Sequence, residues 1–365
     1  MNYTIPTLPL NMDLETTQVL KKVTKAQAAL SELKGVVATL PNVSILLNTL
    51  ALQEAKDSSA IENIITTHDE LFKAELNLNI IKSAATKEVQ NYASALKEGF
   101  EIVKTQKILS NKSLLLIHEE LEGNDAGFRK LPGTELKNEK TNQTVYIPPQ
   151  NGLEIEKMMS NLLLFINDDE LQDVHPLIKM AIIHHQFESI HPFYDGNGRC
   201  GRIINILYLV LKGLLDNPVL YLSRYIIQNK DTYYRLLQET RDTGNWEPWI
   251  LFMLEGVEVV SKQSIELILS IKKTMQEYKI LIRGRYKFYS QDLLNNLFKH
   301  PYTKIEFLEK DLNVERRTAA KYLNTLTQDE NSILQKIKIG NTNYYVNTGL
   351  MDLLLNHDYN LKSDL

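Results

Sequence analysis

Before about residue 280, apolar positions recur at helical spacing along most of the chain. Leu14 to Leu40 mixes charged and apolar residues in this way and stops before Pro41. Val43 to Ile65 follows, with Leu46, Leu47, Leu50 and Leu52 forming its apolar side. Helices are also predicted over Ala84–Val103 and Ser113–Leu121. From Gly123 to Gln150 the texture turns to Gly, Asn, Asp and Pro. There Thr144-Val145-Tyr146-Ile147 is a short β-type run stopped by Pro148-Pro149, which with a polar tip at Asn138–Gln143 predicts a small hairpin. Helical spacing resumes over Leu153–Asn167, His175–Ile190, Asn197–Leu214, Ser223–Thr240 and Trp246 to about Glu277. The Asn197–Leu214 stretch is apolar on most faces and is predicted to be buried.

The last 80 or so residues read differently. Short helices are expected over Ser290–Phe298, Ile305–Leu312 and Glu315–Gln328. Strand-like alternation then covers Ser332–Ile339, Gly340-Asn341 makes a turn, and Thr342–Val346 returns. Three helices followed by a hairpin is the order of a winged helix-turn-helix. The expected fold is therefore mainly α: a helical core with a small β-hairpin, an N-terminal helical region and a C-terminal winged helix. The domain expectation is 1–104, 105–256, a connecting helix over 257–286, and 287–365, with the change of grammar falling between Lys279 and Lys287.

A chain of 365 residues with 43% apolar and 24% charged residues belongs to the soluble globular class and has room for two or three domains. The net charge of −4 makes any nucleic-acid surface a local one. A lone cysteine, Cys200, excludes an intrachain disulfide and a Cys-rich zinc site and fits a reducing compartment. The apolar run Ile203–Leu215 is broken by Asn205, Lys212 and Gly213, short of the roughly 20 residues a membrane span needs. Asp13 and Glu15 precede the first lysine, Lys21, unlike the basic start of a signal peptide. A cytoplasmic location without a membrane is expected.

Chemistry concentrates in one loop, His191-Pro-Phe-Tyr-Asp195-Gly-Asn-Gly-Arg199-Cys-Gly-Arg202. The glycines of Asp195-Gly196-Asn197-Gly198 allow close approach of a ligand to the backbone. A helix starting near Asn197 aims its free amides and positive dipole end into the turn, as an anion site requires. Arg199 and Arg202, three apart, share a helical face and can reach phosphate oxygens together. Asp195 is a hard oxygen ligand suited to Mg²⁺ on those phosphates, and His191 is a general base near neutral pH.

The string resembles the motif of the Fic family, His-x-Phe-x-Asp/Glu-Gly-Asn-Gly-Arg-x-x-Arg, at His191, Phe193, Asp195, Gly196, Asn197, Gly198, Arg199 and Arg202. His184 to Ile190 is similar to the family's core helix. Ser223-Arg224-Tyr225 and Tyr233 to Leu237 are similar to its downstream helices. The resemblance implies an AMP transferase: His191 deprotonates a Ser, Thr or Tyr hydroxyl of a protein, which attacks the α-phosphorus of ATP and releases pyrophosphate. It further implies Mg²⁺ on Asp195, an anion hole at Gly196, Asn197 and Gly198, Arg199 at the β-phosphate and Arg202 at the γ-phosphate. Relatives acting as kinases carry lysine where this chain has Gly198. Tyr233, Tyr234 and Leu237 match positions that border the adenine. The run Thr144, Val145, Tyr146 and Ile147 resembles a flap that aligns an extended target segment by strand pairing.

Ser58-Ser-Ala-Ile-Glu62-Asn63 resembles the family's inhibitory motif. On this reading Glu62 pairs with Arg202 in bidentate fashion, in place of the γ-phosphate, and Ser58, four residues earlier on the same helical face, orients it. His184 and Cys200 are expected to be structural, and Trp246 and Trp249 to be core or the outer wall of a pocket. The C-terminal module carries Arg316, Arg317, Lys321, Lys336 and Lys338, yet nine Lys/Arg against seven Asp/Glu over 287–347 is a modest excess. DNA binding and protein docking both stay open for it, as does homodimer formation. The alternatives to an auto-inhibited AMP transferase are a nucleotide-sensing DNA-binding regulator and an enzyme of the same family using another nucleotide donor.

Overall fold

The computed structural model describes residues 3–40, 42–75, 83–138, 141–328, 332–339 and 341–359. The expected stop at Pro41, Glu139 and Lys140 of the hairpin tip, and Gly340 of the second turn lie outside the described residues, as does the side chain of Leu46. The chain divides into two compact units. One comprises Met1–Lys34, Ala51–Thr66 and Lys82–Lys262; the other comprises Gly35–Leu50, Thr67–Ile81 and Gln263–Leu365.

In chain order the elements begin with α1 (Thr17–Ala38), α2 (Ser44–Ile61), α3 (His68–Glu75), α4 (Ala84–Gln106) and α5 (Asn111–Glu122). The hairpin β1 (Leu136–Lys137) and β2 (Thr144–Tyr146) follows, then α6 (Gly152–Asn167), α7 (Pro176–Ile190), α8 (Asn197–Leu211), α9 (Leu222–Gln228), α10 (Lys230–Thr243) and α11 (Glu247–Arg285). The remainder is α12 (Gln291–Lys299), β3 (Tyr302–Thr303), α13 (Ile305–Leu312), α14 (Arg316–Thr325), β4 (Leu334–Ile339), β5 (Thr342–Asn347) and α15 (Thr348–Tyr359). The mainly α expectation holds. Among the described residues no helix is long and apolar enough to cross a membrane.

The first unit is built around α7 and α8, which pack on each other, with α4 against α8 and α6 against α7. Every residue of α7 from Leu177 to Ile190 is buried, so its polar side chains need partners inside the protein. His184 joins its Nε2 to the Tyr233 hydroxyl at 2.8 Å and its Nδ1 to Asn205 at 3.0 Å. Gln186 donates to the Pro6 carbonyl at 2.7 Å, and Trp249 Nε1 donates to Ala181 O at 2.8 Å. His184 is thus held by neutral partners, as expected of a structural histidine.

Three element boundaries differ most from the sequence expectation. The single helix expected over Ser223–Thr240 is two, because Asn229 Nδ2 donates to Tyr225 O at 2.9 Å and ends α9 there. The helix expected to reach Ile65 stops at Ile61. Asn63 adopts a left-handed conformation with φ 62°, its N–H donates to Ala60 O, and Ile64 N–H donates to Ser59 O. This is a Schellman closure, and it makes Glu62 the C-cap residue. The helix expected to stop near Glu277 continues to Arg285. In the second unit α12, α13 and α14 pack in sequence beside an antiparallel sheet of order β3-β5-β4, with Lys336 opposite Tyr345. The two-residue β3, α3 and α15 were not anticipated.

Candidate functional site

The loop between α7 and α8 is fixed from several sides. Helix α7 closes on His191, a non-glycine residue at φ 49° and ψ 59° whose N–H donates to Phe187 O at 2.9 Å. That conformation costs about 1–2 kcal/mol for a residue with a Cβ, and Pro192 forbids the helix from continuing. Phe193 is fully buried and stacks on the His118 ring at 3.7 Å between centroids. Asn197 closes the loop with its amide: Oδ1 accepts from Phe193 N at 2.8 Å and Nδ2 donates to Phe193 O at 2.9 Å. The Asn197 side chain is therefore structural, and only its backbone is available to an anion.

Gly196, at φ 72°, is the N-cap of α8 and supplies no side-chain cap, so the first-turn amides of α8 keep their donor capacity. Asp195 Oδ1 accepts from Gly196 N at 2.7 Å, and its side chain is 85% exposed. Among the described residues, no three His, Cys, Asp or Glu side chains cluster to hold a metal. A single exposed hard oxygen at a helix N-terminus instead suits a cation that arrives already bound to phosphates.

The two motif arginines do not point together. Arg199 is clamped by Glu88 of α4 at 2.9 Å and Glu122 of α5 at 3.0 Å. Arg202, 1% exposed, meets the end of α2. Its Nη2 donates to Glu62 Oε1 at 2.8 Å and to Ser58 O at 3.0 Å, and its Nε donates to Ser58 Oγ at 2.7 Å. Two expectations are corrected here. Glu62 pairs through one oxygen rather than two, because Ser58 takes the other edge of the guanidinium. Ser58 accordingly orients Arg202, not Glu62. A Cβ built on Gly198 would collide with Glu62 Oε1, so the carboxylate lies directly over the first turn of α8. Asn63 accepts from Lys230 Nζ at 3.2 Å.

His191, Gly198, Arg202 and Glu62 open into one cavity of about 770 Å³, whose far wall is formed by Tyr234 and Leu237 of α10 and by the hairpin. Tyr233 also lines it, but its ring is 1% exposed and is held among His184, Trp249 and Phe252. Trp249 is core. Of the hairpin run, Tyr146 turns inward: its hydroxyl donates to Ser189 O at 2.8 Å and its ring covers Arg241 at 4.0 Å. Tyr146 thus anchors the hairpin to α7, whereas Val145 and Ile147 are exposed and Ile147 lies beyond β2. Thr144 donates to Glu135 at 2.8 Å. Cys200 is buried, which pushes its thiol well up and leaves it inert.

Sequence reasoning missed Arg129. This 1%-exposed side chain donates from Nε to His191 O at 2.7 Å and from Nη2 to Pro149 O at 2.9 Å. It ties the histidine's backbone to the foot of the hairpin, and its sequence neighbours give no sign of that role. Burial, then the charges of Arg129 and Arg241, push His191 down to about 3. The ring is thus neutral at pH 7. Glu188, one turn before His191, lines the same cavity and is pushed up to about 7 by burial. Arg129→Gln should cost about 1–3 kcal/mol of stability and raise the His191 pKa toward the ordinary value, because it removes a nearby positive charge and cannot span both carbonyls. Denaturant unfolding and an NMR titration of the ring check this.

Three family models match the chain: Fic/DOC family N-terminal over 20–101, Fic/DOC family over 108–209, and the C-terminal domain of SoFic-like protein adenylyltransferase over 274–350. The two Fic/DOC matches together take in half of the sequence. Among curated proteins, a protein adenylyltransferase Fic of Drosophila erecta is 22% identical over 226 residues, 62% of this chain and 38% of that protein. One of Culex quinquefasciatus is 27% identical over 157 residues, 43% of this chain and 29% of that protein. The matched stretches thus span about a third of the length of those relatives. Among solved structures, a Fic family protein of Desulfovibrio desulfuricans superposes with a TM-score of 0.59 at 21% identity, covering 93% of this chain and 97% of that one. Fic-1 of C. elegans gives 0.54 at 20% identity, over 70% and 74%.

Proposed function

Because the chain belongs to the Fic/DOC family, we propose that it is an auto-inhibited protein adenylyltransferase, moving AMP from ATP to protein hydroxyls and releasing pyrophosphate. The observation that carries this reading is the meeting of His191, the uncapped first turn of α8 at Gly198 and Arg202 in one cavity. A base, an anion cradle and a buried cation within reach of each other are what phosphoryl-type transfer needs, since its catalysis is mostly positioning and charge stabilisation.

In the proposed reaction the backbone amides of Asn197, Gly198 and Arg199 cradle the α-phosphate, Arg199 replacing the expected Gly196, whose own N–H is taken by Asp195 Oδ1. Neutral His191 accepts the proton of the attacking hydroxyl. Arg202 receives the γ-phosphate once Glu62 gives way, and Arg199 turns from Glu88 and Glu122 toward the β-phosphate. Gly198 leaves room for that tail, which favours AMP transfer over kinase chemistry. Tyr234 and Leu237 border the adenine, with Tyr233 supporting them from the core. Val145 and Ile147, on the exposed side of the hairpin, offer the surface on which an extended target segment would pair. Mg²⁺ held by Asp195 would neutralise phosphate charge when ATP is bound. Asp195→Ala should raise the Mg²⁺ concentration for half-maximal activity about tenfold, with little effect on folding because the side chain is exposed; a metal titration of activity and a melting curve check both.

Incubation with α-labelled and γ-labelled ATP tests the reading. Covalent α-label on protein supports it. Covalent γ-label would mean phosphoryl transfer and a reversed nucleotide. No label from either, with ATP bound, would favour another donor or a nucleotide sensor. The second unit, read as a winged helix over 287–365, is proposed to dock a protein target or DNA, and a steep loss of duplex binding with salt would identify the latter.

A further inference from the structure

Arg202 is met from α2, and α2 itself is held by a residue the inhibitory motif does not contain. Glu54 is 1% exposed. Its Oε1 accepts from the Tyr92 hydroxyl of α4 at 3.1 Å and from the Ser223 hydroxyl of α9, and its Oε2 accepts from Ser223 N at 3.1 Å. Glu54, Ser58 and Glu62 are spaced by four, so the first two share a stripe of α2 and Glu62 ends it at the C-cap. Three donors from two other helices converge on one buried carboxylate. Burial alone would expel its charge, and the Ser223 bonds and the nearby Arg202 oppose that.

We propose that Glu54 is the positioning residue of the brake: it fixes the last turns of α2 against α4 and α9 so that Ser58 and Glu62 reach Arg202. This rests on the reading of Glu62 as an inhibitory residue. Within the 58–63 string Ser58 also meets Tyr92 and Asn63 accepts from Lys230, but neither reaches α9. Ser58 and Glu62 contact Arg202, a side chain that nucleotide is expected to take from them, whereas the Glu54 bonds survive that exchange and set the angle to which the segment returns. Loss of the carboxylate leaves Tyr92 and the Ser223 amide without acceptors and lets the 58–64 turn drift from the arginine.

The test uses the full chain carrying Glu54→Ala, with two readouts. In hydrogen exchange, the amides of Glu62, Asn63 and Ile64 should exchange at least tenfold faster while those of α8 keep their protection. In α-label transfer, Glu54→Ala should be at least fivefold more active than wild type, and in the Glu62→Gly background it should add less than twofold. A merely structural role would lower activity in both backgrounds. Should Glu54→Ala fail to fold by thermal melting, Tyr92→Phe removes one donor and should move both readouts the same way by about two- to threefold. Unchanged exchange at 62–64 overturns the anchor whatever the activity does. Faster exchange with no gain in activity, in a protein that Glu62→Gly does activate, overturns the coupling to the brake. If Glu62→Gly itself does not activate, the brake reading fails, and exchange alone still decides whether Glu54 anchors the segment.

Discussion

Glu62→Gly should raise covalent AMP incorporation about ten- to hundredfold. The size follows from the bond it removes: a hydrogen bond between two charged groups contributes about 1.5–3 kcal/mol, and Arg202 makes one with Glu62 at 2.8 Å. The direction follows from placement. Glu62 Oε1 sits against Gly198, over the amides an α-phosphate would need, so the carboxylate opposes the nucleotide both by occupying the arginine and by placing negative charge on the helix N-terminus. Glycine at this C-cap leaves the Schellman turn intact, because that turn is made by the backbone of residues 59–64. The fold should therefore be kept and only the carboxylate lost. Glu62→Gln separates the two effects, retaining shape without charge, and should give an intermediate rise. Single-turnover transfer of α-label by the three proteins is the measurement, and equal rates would end the brake hypothesis.

The chemistry of this site was legible because it lies in twelve consecutive residues whose types are each demanded locally: glycines where the backbone must turn at φ 72° or lie bare against a carboxylate, an asparagine that bonds its own loop, arginines one helical turn apart. The inhibitory string was legible as a string, but its geometry was misread. Helical-face reasoning assumed that the helix runs on through Glu62, whereas Asn63 takes the left-handed conformation that Asn tolerates, and Ser58 and Glu62 both turn to Arg202 rather than to each other. The resemblance to the family's flap likewise implied a target surface for Thr144 to Ile147, although the alternation of a strand also had to bury one of them. Tyr146 is that one, stacked on Arg241. Arg129, Glu54 and Glu88 were invisible for a different reason. Their partners are 62, 169 and 111 positions away, and no local pattern marks an isolated charged residue as one that will meet a partner so far along the chain.

His191→Ala should lower AMP transfer by about 10²–10⁴, the usual contribution of a positioned general base, and in the Glu62→Gly background it should abolish the gain. The pH dependence adds a sharper test. A base must be unprotonated to act. Burial and the charges of Arg129 and Arg241 depress the free enzyme's His191 to about 3, so the acid limb that an ordinary histidine would give near 6.5 should be missing from kcat/KM, which reports the free enzyme. Phosphates brought into the cavity carry the opposite charge and raise the ring's pKa, so the limb in kcat should lie higher than the limb in kcat/KM. Their separation measures the field of the bound nucleotide. The competing base is Glu188, buried in the same cavity and pushed up to about 7, and it predicts the reverse: a limb in kcat/KM near 7 that persists in His191→Ala and disappears in Glu188→Gln. Profiles of the three variants from pH 5 to 8 distinguish the two groups, and full activity in His191→Ala would remove the histidine from the mechanism.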